Sequence, residues 1–68
     1  MTNWKLLLSD NHASSTIEKF AFSGASVKDV ERTLAFTPLA GEFRQLVRSR
    51  GANEARMLAR KALRRRTA

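Results

Sequence analysis

The sequence predicts a small α+β domain: an N-terminal β-hairpin followed by two or three helices. Three observations lead there. "WKLLL" (4–8) and "TIEKFAFSG" (16–24) are short apolar segments separated by the turn formers of "SDNHASS" (9–15). Phe20 and Phe22 stand at alternate positions, as on one face of a strand. From Ser26 onward the pattern changes to helical spacing punctuated by caps. The alternative is an all-α domain of four short helices.

The first third carries the choice. Ser15 with Glu18 fits a capping box, Ile17 and Phe20 share a helical face, and Gly24 would stop such a helix. The hairpin is preferred because a free helix of about eight residues is short. The aromatic pair also suits a strand.

The remaining elements follow from their ends. Ser26 with Asp29 forms a capping box for a helix starting at Val27, and Val27, Val30 and Leu34 make its apolar stripe. "FTP" ends that helix, because the residue before a proline is pushed out of the helical region. Thr37 then caps a second helix with Pro38 at its first position. Leu39, Phe43, Leu46 and Val47 line one face of it, and Gly51 stops it. Gly41 lies inside it, either for a close approach by a neighbour or because the helix starts later. Asn53 is expected to cap a third helix, with Ala55, Leu58, Ala59, Ala62 and Leu63 on one face.

Residues 1–68 read as one complete small domain, with a basic half at 44–68 and a tail at 65–68 expected to fray. At 68 residues the core is thin. Small cores usually need a staple. Cysteine is absent and histidine occurs once, so neither a disulfide nor a zinc site is available. Self-association, as a homodimer, is the expected support. No secretory leader and no apolar run of about 18 residues occurs, so the chain reads as soluble and cytoplasmic.

The net charge of +7 is unevenly placed. Residues 1–43 hold Lys5, Lys19, Lys28 and Arg32 against Asp10, Glu18, Asp29, Glu31 and Glu42. Residues 44–68 hold eight arginines and Lys61 against Glu54 alone. Such asymmetry points to a polyanionic partner, and arginine's rigid fork suits phosphate or carboxylate. Arg44 and Arg48 lie one turn apart on the second helix. Arg56, Arg60 and Arg64 form an i, i+4, i+8 row on the third, continued by Lys61, Arg65 and Arg66. Like charges at this spacing repel, and a nucleic-acid backbone turns that cost into attraction through counterion release.

The expected function is therefore nucleic-acid binding, to DNA or RNA, through phosphate contacts from Arg44, Arg48, Arg56, Arg60, Lys61, Arg64, Arg65 and Arg66. The role would be regulatory or accessory. Residues 27–51 outline a helix–turn–helix, although the turn holds Pro38 and lacks the usual glycine. The alternative partner is an acidic surface of a larger protein complex, with the chain as regulator or inhibitor. Trp4, Phe20, Phe22 and Phe36 would then be anchors wherever the core leaves them exposed. A solvated basic face with no partner is the bland reading. A membrane is disfavoured, because the third helix has an Ala-rich apolar face without an aromatic anchor.

Nothing points to an enzyme, a cofactor or a metal. Asp10, His12, Ser14 and Ser15 share one local segment, whereas catalytic triads are assembled from distant segments on a scaffold. Gly24, Gly41 and Gly51 are isolated and make no phosphate loop.

Overall fold

Phe20 and Phe22 decide the first third of the chain. On a strand they would share a face; on a helix they sit about 200° apart. In the computed structural model Phe20 is fully buried and Phe22 is 52% exposed. The structure describes the backbone of residues 2–67 and the side chains of residues 2–65. Among these it contains five helices and no strand: α1 (Trp4–Leu7), α2 (Asn11–Phe22), α3 (Val27–Thr33), α4 (Leu39–Arg50) and α5 (Ala52–Thr67). The expected α+β hairpin is thus incorrect, and the all-α alternative describes the chain.

The reason lies in Asp10. Its side chain accepts a hydrogen bond from the Ala13 N–H at 2.7 Å, so α2 starts at Asn11 and not at Ser15. "NHASS" forms its first turns rather than a loop. That lengthens α2 to twelve residues and lets it bury Ala13, Thr16, Ile17, Phe20 and Ala21 on one side. Thr16 is buried without penalty, because its hydroxyl donates to the His12 carbonyl at 2.8 Å. Gly24, at φ +77°, turns the chain out of α2. The first apolar segment is helical as well. Asn3 accepts the Leu6 N–H at 3.1 Å and caps the single turn of α1.

Further along, the local signals hold. Ser26 and Asp29 exchange both bonds of a capping box, at 3.1 and 3.3 Å. The Thr37 hydroxyl accepts the Leu39 N–H at 3.3 Å and donates to the Leu34 carbonyl at 2.8 Å, so it ties down the first turn of α4, which starts at Leu39 with Pro38 at the cap position, one residue later than expected. Gly51 adopts φ +83°, and its N–H returns to the Val47 carbonyl at 2.7 Å. Asn53 is the exception: α5 begins at Ala52, and Asn53 is an exposed helical residue, not a cap. Gly41 lies two residues inside α4 with open space where a Cβ would sit. Neither a close neighbour nor a late helix start accounts for it.

The core gathers one stripe from each helix. Leu7, Ile17, Phe20, Val30, Leu34, Phe43, Leu46 and Leu63 provide its bulk. Phe20 and Phe43 meet edge to face, with centroids 5.0 Å apart. The α2–α5 seam is made of small residues, with Ala13 and Ala21 on one helix and Ala55 and Ala59 on the other, all buried. It is this seam that brings the arginines of α5 against the end of α2.

Candidate nucleic-acid interface

The expected arginine surface is divided by the fold. Along α5, Ala55, Ala59 and Leu63 are buried, and a helix turns about 100° per residue. Arg56 and Arg60 therefore flank the buried stripe on the α2 side. The Arg60 Nε donates to the Ala21 carbonyl at 2.7 Å, and its guanidinium stands 5.9 Å from the Phe22 ring centre. Arg56 lies 4.7 Å over the Phe20 ring and donates a longer bond, 3.4 Å, to the Ala25 carbonyl. Arg60 thereby neutralises the partly negative C-terminus of α2, and Arg56 ties down the loop that follows it. These two side chains hold the fold together, and their donors are in part already used.

Arg44 and Arg48 belong to another surface. The Arg44 Nε is 3.6 Å from Glu31, which ties that flank of α4 to α3. The exposed Gly41, Arg44, Gln45 and Arg48 line one shallow face there. The adjacent flank of α4, which shares Glu42 and Gln45 with that face, borders α5 across a groove of about 620 Å3, with Trp4, Leu46, Leu58 and Arg65 also in its lining. Arg44 and Arg48 do not line the groove that Arg65 lines.

Lys61, Arg64 and Arg65 form the outward face of α5, and all three are exposed. Glu54 is the only acid in this helix. It lies in the first turn, roughly 10 to 16 Å along the axis from these cations, and faces Arg50 at 3.9 Å. Lys61 and Arg65 have no carboxylate partner within 4 Å among the described residues. Arg66 is helical in backbone, and its side chain lies outside the described residues.

No protein-family model, curated protein or solved structure matches this chain.

Two residues that the sequence did not join to the basic half, Lys5 counted only in the charge of residues 1–43 and Trp4 named only as an anchor for a protein partner, border the cations of α5. Trp4 and Lys5 of α1, with Leu8, meet Ala62 and Arg65 of α5 across a second groove of about 580 Å3. Trp4 is half-buried and Lys5 exposed. The position of α1 is fixed by a hydrogen bond from the Asn3 backbone N–H to the Glu42 carboxylate in α4, 2.7 Å long. The signal for this in the sequence is Asn3, a favoured N-cap residue before "WKLL". Read as a strand, that segment gave no reason to join Lys5 to the C-terminal cations.

His12 sits exposed in the first turn of α2, and Asp10 beside it is occupied as the helix cap. No group of three or more potential metal ligands occurs among the described residues, and no helix there is long and apolar enough to cross a membrane.

Proposed function

We propose that this protein binds nucleic acid, with little regard for sequence, through phosphate contacts made by Lys61, Arg64 and Arg65. One observation carries the reading: three cations share the outward face of α5, and the helix's one acid stands at its other end. Phosphate contacts position a chain on its target without reading bases, which is all this face is equipped to do. Arg48 adds a weaker, separate point of attraction. The role is that of a regulatory or accessory protein.

The test is the salt dependence of duplex binding. Three neutralised phosphates give a slope of log K against log salt of about −3, whereas the six helix arginines acting together would give about −5. Lys61→Gln, Arg64→Gln and Arg65→Gln should each flatten the slope by about one. A salt-independent affinity, or no binding at low salt, sinks the reading.

A second reading has its own support. Phe36, in the turn between α3 and α4, is 102% exposed and has no role in the core. An exposed aromatic ahead of the basic helix α4 suits docking on an acidic surface of a larger protein, where the chain would act as regulator or inhibitor. A stoichiometric complex with an acidic protein, lost in Phe36→Ser, together with failure to bind duplex, would replace the nucleic-acid reading.

A further inference from the structure

We infer that the groove between α1 and α5 seats an unpaired nucleotide, with its base on Trp4 and its flanking phosphates on Lys5 and Arg65. The inference rests on the phosphate-binding reading of α5 and adds the form of the partner: a single strand, or a duplex with an unpaired segment.

The lining states the chemistry. Trp4, Leu8 and Ala62 are apolar, Lys5 and Arg65 are cationic, and no acid lines the groove. Glu42 lines the neighbouring groove, which Trp4 also borders, and already accepts the Asn3 N–H. A flat aromatic and two cations on one groove match a base and its flanking phosphates. The volume, about 580 Å3, lies within the range of small-ligand sites. The groove is open along its solvent side, which suits one unit of a continuous strand better than an isolated small molecule. Lys61, one residue before Ala62, carries the positive track outward from the groove along α5.

Nucleic acid is favoured over an acidic peptide by Trp4 itself. Every base has a π-face, and stacking on an aromatic side chain strengthens binding roughly ten- to a hundredfold per base. A carboxylate gains nothing comparable from an indole. A duplex keeps its bases stacked inside and offers the groove only phosphates.

Trp4 is the only tryptophan and tyrosine is absent, so emission from the full chain reports this residue. The experiment titrates the protein at low salt with an oligothymidylate of about ten nucleotides and with a duplex of equal length. The expected result is quenching of Trp4 by the single strand and an affinity for it about tenfold above that for the duplex. Lys5→Gln should weaken single-strand binding several-fold while duplex binding stays within about twofold. Trp4→Leu should abolish the preference and Trp4→Phe keep part of it, with helical circular dichroism checked for each. Lys5 is exposed, so its variant tests the groove even if loss of the indole unfolds α1. Equal affinities with unchanged Trp4 emission overturn the groove while leaving the α5 phosphate face standing. No binding to either nucleic acid removes both readings. Equal displacement by polyglutamate of the same length overturns the groove in favour of an acidic protein.

Discussion

Arg60 donates through Nε to the carbonyl of Ala21, 39 residues earlier in the chain, at 2.7 Å. The contact joins the last helix to the end of the second, and Arg56, one turn back on α5, lies over the Phe20 ring and reaches the Ala25 carbonyl in the loop after α2. Of the residues that looked most like phosphate ligands, Arg60 is therefore a C-terminal cap for a neighbouring helix and Arg56 a tie to the loop beyond it.

Replacing Arg60 with Ala removes a charged donor from a carbonyl at the end of α2. A loss of about 1.5 to 3 kcal/mol is expected. The melting temperature should fall by several degrees for each kcal/mol. Lys61→Gln, one residue on and exposed, should change stability by less than about 0.5 kcal/mol. Urea unfolding of the two variants measures the contrast. Equal stabilities would show that Arg60 does not cap α2.

Asp10→Ala should destabilise by about 0.5 to 2 kcal/mol, because Asp10 supplies the cap of α2. Ser15→Ala should be close to neutral, since Ser15 is an exposed residue in the body of that helix. The opposite order would restore the later helix start suggested by the Ser15–Glu18 pair. Carbon chemical shifts for residues 11–15 give the same answer without a mutation.

These cap residues also mark how far the sequence could be read. Ser26–Asp29, Thr37 before Pro38, and Gly51 signal element ends through chemistry within four residues, and each is found within one residue of where its pattern put it. Asp10 was equally visible, but "SDNHASS" holds so many turn formers that the cap was hidden among them. The spacing of Phe20 and Phe22 was ambiguous because only tertiary packing says which of the two is inside. The candidate site suffered for the same reason. Sequence gives the angular position of Arg56 and Arg60 on α5, but not that the C-terminus of α2 lies against it. Lys5 and Trp4 reach the α5 cations only through contacts between residues some sixty positions apart, which no local pattern encodes.

Gly41→Ala should stabilise the protein by about 0.5 to 1 kcal/mol. The residue is helical, exposed and has no neighbour where the methyl would go. Gly51→Ala should do the reverse, by about 1 kcal/mol or more, because φ there is +83°. Thermal unfolding of both variants tests the pair. If Gly41→Ala is more stable yet weakens nucleic-acid binding, the α4 face with Arg44 and Arg48 is also in contact.

Phe36→Ser should leave the melting temperature almost unchanged, since the ring makes no buried contact within the chain. The same substitution tests the proposed homodimer. If Phe36 seats in a second copy, the wild type sediments as a dimer at micromolar concentration and Phe36→Ser as a monomer. A wild-type monomer would remove self-association as the support for this thin core.

Gly51 is the whole of the joint between α4 and α5. With no slack to absorb an error, the joint works as a phase lock between two helical screws. One extra residue after Gly51 would rotate everything beyond it by about 100° against α4. The alanine seam at 55 and 59 would swing away from α2, the strip of Glu54, Leu58 and Ala62 would turn toward the interior, and Arg56 and Arg60 would be carried off the carbonyls they reach. Length polymorphism should therefore be forbidden at this one point, although it lies on the surface of the molecule, where insertions are ordinarily tolerated.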